Sequence, residues 1–215
     1  KETGYVGLNN QGATCYMNSL LQSLYHLPAF RRLVYEMPTT GTEDANISIP
    51  LNLQRLFCQM QFSSRSCSTV NLTKSFGWGS AETFQQHDIE EFLRVLIDNL
   101  ENKMQGTSLQ DSIPRLFRGR YRNYIKCKNV DYRTVKEENF YDLSMEVKGI
   151  PNLLDSFKNY VKPEELTGDN KYSTEKYGKQ DAIMGVEFVE FPPVLHLQLI
   201  RFTYDPTQPT GMTKI

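Results

Sequence analysis

The segment between Gly7 and Pro28 constrains this chain most, because it predicts a polar loop that brings a cysteine to the start of a helix. Residues 7–14 are polar and interrupted by glycine, a composition typical of loops. Cys15 then falls in the first helical turn, where backbone N–H groups and the helix dipole favour an anion. Apolar residues recur three or four positions apart, as in an amphipathic helix that Pro28 ends: Met17, Leu20, Leu21, Leu24 and Leu27.

Two roles for Cys15 are compatible with this position. A thiol at a helix start is expected to become a nucleophile near neutral pH. Asn10, five positions upstream on the same loop, could fold back and donate its side-chain amide to an oxyanion that forms beside the sulfur. The alternative is a helical scaffold in which Cys15 packs as a small buried hydrophobic residue, the more common role of a lone cysteine. That alternative predicts that Cys15 resists alkylation in the folded protein.

The composition is that of an ordinary globular chain. Of the 215 residues, 39% are hydrophobic and 23% are charged, and a net charge of -1 gives no indication of nucleic acid or an anionic membrane as a partner. No apolar run approaches the roughly 20 residues that span a bilayer, and the N-terminus shows no signal-peptide pattern. The cysteines form no disulfide framework and predict a reducing compartment, the nucleus or the cytoplasm: Cys15, Cys58, Cys67 and Cys127.

The apolar pattern changes along the chain from helical to extended, which predicts an α+β fold. Helices are predicted at 28–35, from residue 50 onward, at 89–104, at 112–118 and at 151–161. Strands are predicted at 121–127, 141–147, 186–191 and 194–202. Polar, turn-rich segments predict loops at 37–48, 63–68 and 162–179. We therefore expect a helical part, 1–118, and a β-rich part, 119–215.

The longest predicted helix begins at a cluster of acidic residues. Asp88 is expected to be its N-cap, with Glu91 as the capping partner three residues further on. Cys58 is expected to pack beside the apolar stripe of the helix before it. The stripe of the long helix is expected to pack against the Cys15 helix: Ile89, Phe92, Leu93, Leu96, Ile97, Leu100 and Met104.

None of the three histidines is a convincing general base for Cys15, although a cysteine protease needs one to take the thiol proton. His26 lies too far along the same helix, roughly 16 Å from Cys15 by helical rise. His196 is predicted to be a surface or hydrogen-bonded residue in mid-strand, and His87 adjoins the cap of the long helix. The residues alone therefore indicate a candidate nucleophile but no general base to take its proton.

Four blocks of sequence carry a resemblance to a known family. GLNNQGATCYMNS at 7–19 closely resembles the cysteine box of the ubiquitin-specific proteases, and QQHDIEEFL at 85–93 resembles their second block. GDNKY at 168–172 resembles the block at the tip of the family's fingers. PPVLHLQLIRF at 192–202 resembles the strand block that leads back to the palm. The blocks span nearly the whole chain in the family's order.

The resemblance implies a papain-like cysteine protease fold of the ubiquitin-specific type, incomplete at its C-terminus. Residues 1–118 would form the helical thumb with the nucleophile, and residues 119–215 the β-rich fingers and the start of the palm. In this family the histidine box and its Asp or Asn follow the strand block, whereas this sequence stops at Ile215. The resemblance thus implies a fragment whose general base histidine is not in the chain.

The resemblance also implies the residues of the site. Cys15 would be the nucleophile and Asn10 the oxyanion donor. Acidic side chains would pair with the two arginines of ubiquitin's C-terminal tail, and aromatic ones would flank its Gly-Gly end. Two alternatives stay open: Asp88 as a plain helix cap, and Phe202 and Tyr204 as core residues. The implied ubiquitin-binding residues are Gln86, His87, Asp88, Glu91, Arg94, Phe202 and Tyr204.

One departure from the family concerns a cofactor. Many members hold the fingers with zinc through two Cys-x-x-Cys pairs. The first pair here would be Cys127 with position 130, which is Val130, and the second would fall on Thr174 and Tyr177. Because three of the four ligands are absent, the sequence predicts no zinc and no other cofactor, and fingers held together by packing.

The resemblance implies a deubiquitinating cysteine protease that cleaves after the terminal glycine of ubiquitin through a thioester on Cys15. Its partners would be ubiquitin and ubiquitinated proteins, and the catalytic domain would be monomeric. The alternative is a non-catalytic ubiquitin-binding module or pseudoenzyme. The sequence beyond Ile215 would discriminate, since a histidine box followed by Asp or Asn supports the enzyme.

Overall fold

A computed structural model describes residues 5–40, 42–78, 88–208 and 211–215. The chain divides into two compact units, 1–114 and 115–215, which are described separately below. Sequence analysis placed the change from helical to β-rich structure between residues 118 and 119. None of the described helices is long and apolar enough to cross a membrane.

The described part of the first unit is helical. The predicted helix that starts with Pro28 is confirmed, and so is the capping role of Asp88, whose carboxylate accepts a hydrogen bond from the Glu90 N–H at 2.8 Å. Ser48 caps the third helix through the N–H of Leu51 at 3.3 Å. The helices are α1 (Cys15–Tyr25), α2 (Pro28–Glu36), α3 (Ile49–Phe62), α4 (Val70–Ser75), α5 (Ile89–Met104) and, reaching the boundary between the units, α6 (Ser112–Phe117).

The core of the first unit forms where α1 packs against α5, as predicted. Met17 and Leu21 on α1 and Leu96 on α5 have no exposed side-chain surface. The rings of Tyr16 and Phe92 meet edge to face with centroids 6.5 Å apart. Removal of this apolar surface from water fixes the rotation of α1 about its axis, and thereby the direction in which its first residue points.

Two packing predictions for this unit are wrong. Cys58 is exposed, because it follows the fully buried Phe57 on α3 and one helical step turns it away from the core. Ile89 is 41% exposed, since it is the first residue of α5 and lies beyond the core. The short helix α4 was not predicted, because its alternation of polar and apolar residues is too brief to show a helical period.

The second unit is mainly β-structure, so that the α+β prediction is confirmed. Its strands are β1 (Gly119–Cys127), β2 (Arg133–Phe140), β3 (Asp142–Glu146), β4 (Glu164–Leu166), β5 (Tyr172–Thr174), β6 (Gly178–Gln180), β7 (Ala182–Glu190), β8 (His196–Ile200), β9 (Phe202–Tyr204) and β10 (Met212–Lys214), with one helix, α7 (Leu153–Tyr160). An antiparallel sheet has the order β2-β1-β7-β4. β3 and β8 pair in parallel, and β5–β6 and β9–β10 are antiparallel pairs.

Strands β2, β4, β5, β6 and β10 were not predicted, and the loop predicted at 162–179 is wrong in part. β2 has no alternation of apolar and polar residues, because its side chains are mostly exposed. Ion pairs stabilise its exposed face, and one of them joins Glu137 of β2 to Arg122 of β1 at 2.8 Å. The helix predicted at 151–161 is confirmed as α7, but its apolar residues Leu153 and Leu154 are 45% and 66% exposed. Ser156 is buried in their place and donates to the Glu146 backbone carbonyl at 2.7 Å.

A partly buried ion pair joins the loop after α2 to the end of α5. Lys103 Nζ lies 2.6 Å from Glu43 Oε1, and both side chains are largely shielded from water. The hydroxyl of Ser48 donates to the same carboxylate at 2.6 Å, and the Thr40 N–H donates at 3.0 Å. Burial alone would raise the pKa of Glu43, but these hydrogen bonds outweigh it and lower that pKa to about 2.

Glu43→Gln is expected to lower the free energy of unfolding at pH 7 by about 1–2 kcal/mol, the lower end of what a hydrogen bond to a charged group contributes, because the pair is partly exposed. Because the folded carboxylate has the lower pKa, its contribution is present above the ordinary value of 4.5 and is lost as the pH falls from there towards 2. The difference between variant and wild type should therefore shrink on acidification. Urea unfolding at several pH values measures it, with the exposed Asp98→Asn on α5 as the control. A difference that stays constant with pH would contradict the assignment.

Candidate functional site

Cys15 is the first residue of α1, and its side chain is exposed. The inward face of the helix is filled by Met17 and Leu21, so that the thiol at the helix start is turned to solvent. The alternative of a scaffold with a buried Cys15 is therefore wrong.

The loop before Cys15 is fastened to a distant segment of the first unit. Leu8 and Cys67 form a parallel β-bridge, in which the Asn9 N–H donates to the Cys67 carbonyl at 2.9 Å and the Cys67 N–H donates to the Gly7 carbonyl at 2.9 Å. From α1, the Asn18 amide donates to the Asn9 carbonyl at 3.1 Å. Backbone hydrogen bonds thus hold the first part of the loop.

Gln11 fastens the second part of the loop. Its amide nitrogen donates to the Thr69 hydroxyl at 2.7 Å, and its amide oxygen accepts from the Thr73 hydroxyl at 3.3 Å. Both threonines are essentially fully buried. Gly12 follows with φ of 120°, a backbone conformation that other residues rarely adopt, and lets the chain turn from this anchor into α1. We call residues 7–14, together with their anchors in segment 67–73, the cysteine loop.

Asn10 lies in the cysteine loop with its side chain held by Thr14. Its Oδ1 accepts from the Thr14 N–H at 3.2 Å and from the Thr14 hydroxyl at 3.0 Å. The residue is exposed. Its acceptor end is therefore engaged within the loop, and the donor end, Nδ2, is left for a group outside it. The role of oxyanion donor stays a prediction.

The start of α5 carries the predicted tail-binding residues of the first unit. Asp88 and Glu91 are exposed, and Arg94 pairs with Glu90 at 2.7 Å one turn away. A carboxylate that caps a helix keeps oxygen atoms for a ligand, so that the two roles considered for Asp88 are compatible. Gln86 and His87 lie outside the described residues.

Phe202 and Tyr204 lie on β9 in the second unit and are 56% and 74% exposed. The alternative that they are core residues is therefore wrong. They pair with Lys214 and Met212 of β10, which makes β9 one strand of a two-stranded ribbon. Both aromatic rings are available to a partner.

The rings of the two described histidines are both engaged in contacts with other groups of the protein. His26 ends α1 and its Nδ1 lies 2.8 Å from the Gln22 carbonyl oxygen. His196 stacks on Phe117 with ring centroids 5.1 Å apart. Burial lowers the pKa of His196, against a backbone hydrogen bond with Tyr141 that raises it. His26 lies at the opposite end of α1 from Cys15, and the ring of His196 is packed within the second unit.

The residues at the positions of the family's zinc ligands make contacts of their own. The Thr174 hydroxyl donates to the Gly178 carbonyl at 3.0 Å and accepts from the Tyr177 N–H at 2.9 Å, so that it closes the β5–β6 turn. Cys127 is buried at the end of β1. One thiol does not make a tetrahedral site, and no cluster of three or more His, Cys, Asp or Glu side chains suited to a metal occurs in the described parts of the chain.

Sequence reasoning missed Thr14 and Gln11. Thr14 was considered only as part of a polar loop, although its spacing of four residues from Asn10 suits a local hydrogen bond. Gln11 had no local signal, because its partners are 58 and 62 residues away in sequence. Only the folded first unit shows that the two residues hold the cysteine loop.

Alkylation of the native protein with iodoacetamide should modify two of the four cysteines. Cys15 and Cys58 are exposed and are expected to react, whereas Cys67 and Cys127 are buried and should react only after unfolding. Peptide mass spectrometry at increasing times measures the order. Cys58 serves as the internal control for simple exposure. Protection of Cys15 from alkylation in the native protein would support the alternative in which Cys15 is a buried residue of a helical scaffold.

Comparison with known proteins places these residues in a family. The family model described as ubiquitin carboxyl-terminal hydrolase matches residues 6–215. Ubiquitin C-terminal hydrolase 12 of Arabidopsis thaliana is 55% identical over 215 residues, which cover 100% of this chain and 19% of the relative. Ubiquitin carboxyl-terminal hydrolase 7 of Drosophila melanogaster is 55% identical over 206 residues, covering 96% of this chain and 18% of the relative.

A third relative extends the comparison to yeast. Ubiquitin carboxyl-terminal hydrolase 15 of Saccharomyces cerevisiae is 53% identical over 205 residues, which cover 95% of this chain and 17% of the relative. The chain spans about a fifth of the length of the curated relatives it matches. KSFGW at 74–78 resembles the herpesvirus-associated member HAUSP, the type to which the hydrolase 7 relatives belong. The α+β structure agrees with the papain-like fold of these proteases. Because the family model matches nearly the whole chain, this chain belongs to the ubiquitin carboxyl-terminal hydrolase family.

Proposed function

We propose that this chain supplies the nucleophile and the oxyanion donor of a deubiquitinating cysteine protease. The observation that carries the proposal is the exposed thiol of Cys15 at the start of α1, preceded by an Asn10 amide whose acceptor end is already engaged. The names of the relatives, which are ubiquitin carboxyl-terminal hydrolases, support ubiquitin as the partner.

The reaction follows from the chemistry of these groups. The Cys15 thiolate attacks the carbonyl carbon of ubiquitin's terminal glycine, and negative charge develops on the carbonyl oxygen. Asn10 Nδ2 donates a hydrogen bond to that oxygen. The C–N bond to the target's amine then breaks, the amine takes a proton from the protonated general base, and a thioester forms on Cys15. Water activated by the same base hydrolyses the thioester and releases ubiquitin.

The general base is proposed to lie beyond Ile215. His26 and His196 are both engaged in contacts of their own, and the matched relatives are about five times as long as this chain. His87, which lies outside the described residues, is the alternative within the chain. Substitution of His87 in a form extended past Ile215 would distinguish the two.

The tail of ubiquitin is proposed to contact two sets of exposed residues. Asp88 and Glu91 at the start of α5 offer negative charge to the arginines of the tail. Phe202 and Tyr204 offer ring surface to its glycines. Arg94, which forms an ion pair with Glu90, is proposed to line the channel for the tail, and Gln86 and His87 to complete the set of ubiquitin-binding residues.

The fingers are proposed to need no zinc, because aromatic rings occupy their tip. Tyr132 lies 6.3 Å from Tyr172 and 6.5 Å from Tyr177 between ring centroids, and the Lys176 ammonium lies 4.9 Å from the centre of the Tyr177 ring. These contacts join the turn after β1 to the β5–β6 ribbon. We further propose that the catalytic domain is monomeric, as the family resemblance implies. The four free thiols support a location in the nucleus or cytoplasm.

The second candidate function is a non-catalytic ubiquitin-binding module. It is favoured by one observation, that His26 and His196 are both engaged in contacts of their own. It shares the surface contacts of the first proposal and differs from it only in the chemistry at Cys15.

A ubiquitin probe with a C-terminal electrophile should form a covalent adduct with Cys15 in a form of the protein extended past Ile215. Intact mass gives the adduct, and Cys15→Ala should abolish it. This chain alone is the comparison that tests whether the base lies beyond Ile215. Binding of ubiquitin without an adduct would support the non-catalytic module, and absence of both would contradict ubiquitin as the partner.

Asp88→Asn is expected to raise the KM for a ubiquitin amide substrate about three- to tenfold with little change in kcat, because a rim charge contributes to binding of the tail. Asparagine keeps an oxygen that accepts from the Glu90 N–H, so that the cap and the stability should be preserved. Asp98→Asn, an exposed acid further along α5, is the matched control. An equal effect of the two variants would argue that only net charge matters.

A further inference from the structure

We propose that Thr14 is a positioning residue that fixes the orientation of the Asn10 amide, so that its donor end faces the oxyanion. The inference rests on the proposed function and adds a residue for which sequence analysis gave no role. Thr14 does not contact the substrate in this proposal and acts only through Asn10.

The orientation of the amide follows from which groups can donate. The Thr14 backbone N–H can only donate, and the Asn10 side-chain atom 3.2 Å from it must therefore be the oxygen, Oδ1. The nitrogen Nδ2 is then directed away from Thr14. A flipped amide would place its own N–H groups against the Thr14 N–H and lose this hydrogen bond. The backbone thus favours one of the two orientations.

The Thr14 hydroxyl reinforces the same orientation. Its oxygen accepts from the Gln11 N–H at 3.0 Å, and its proton is directed to Asn10 Oδ1 at 3.0 Å. The residue is 1% exposed, so that water does not compete for these groups. Gln11 is itself anchored to Thr69 by the 2.7 Å hydrogen bond described above. The Gln11 N–H therefore holds the Thr14 hydroxyl oxygen, and the hydroxyl proton orients the Asn10 amide.

The more ordinary role for a threonine at this position would be to cap α1. Thr14 is the N-cap residue, but its side chain makes no capping hydrogen bond to the helix. Its φ of -88° and ψ of 15° differ from the extended backbone that such caps usually have. The hydroxyl is turned back into the cysteine loop, which supports positioning of Asn10 over capping of the helix.

Four variants of the extended form test the assignment with a ubiquitin amide that releases a fluorophore. Thr14→Val keeps the shape and removes the hydroxyl, whereas Thr14→Ser keeps the hydroxyl. Asn10→Asp keeps the acceptor for Thr14 but removes the donor, and Asn10→Ala removes both. Loss of an oxyanion donor lowers kcat by about 10²–10³-fold. We expect Asn10→Asp and Asn10→Ala to fall in that range, and Thr14→Val to lower kcat about tenfold with KM unchanged. Thr14→Ser should restore most of kcat.

The double variant Thr14→Val with Asn10→Ala separates positioning from a general structural effect. If Thr14 acts through Asn10, Thr14→Val should lower kcat no further once Asn10 is alanine. Alkylation of Cys15 by iodoacetamide forms no oxyanion, and its rate should be unchanged in Thr14→Val. Three results would each overturn the assignment. In the double variant, the losses of kcat from the two substitutions could multiply. Thr14→Ser could fail to restore kcat, or Thr14→Val could change the rate of alkylation of Cys15. A wild-type protein without hydrolysis would overturn the proposed function itself, and the Thr14 assignment with it.

Discussion

The packing of α1 against α5 is the interaction on which the arrangement around Cys15 depends. Met17 and Leu21 have no contact with water, and the face that they define leaves no freedom for α1 to rotate. A helix held in this way presents its first residue in one direction only. The exposure of the thiol is thus a consequence of the burial of residues two and six positions after it, and the chemistry of the site is set by the hydrophobic core beneath it.

The cysteine loop adds a second constraint, made of hydrogen bonds. The bridge between Leu8 and Cys67 and the anchors of Gln11 hold a loop that has little apolar surface of its own. Polar contacts of this kind contribute little net stability, but they specify one arrangement because unpaired buried groups are costly. The core therefore places Cys15, and the polar network places the groups around it.

Sequence patterns predicted the parts of the fold with a clear period. The long helix at 89–104 and the cysteine helix were predicted because their buried residues recur every three or four positions. β2 was missed because its side chains are mostly solvent-facing and ion-paired, which leaves no alternation to detect. The position of Asn10 on the loop before Cys15 and the resemblance to a family both made this residue a candidate. The orientation of its amide could not be predicted, since it depends on a backbone N–H and on anchors far away in sequence.

The long sequence separation of these anchors has a consequence for how the site forms. Residues 7–14 meet Thr69 and Thr73 only after the ends of a loop of about sixty residues have come together, a closure that costs chain entropy and slows folding. The surroundings of Cys15 are therefore complete only once α3 and α4 have docked. A nascent chain whose synthesis has not yet passed α4 carries the thiol without the distant anchors of its loop. Folding of the first unit is thus also the step that completes the surroundings of Cys15.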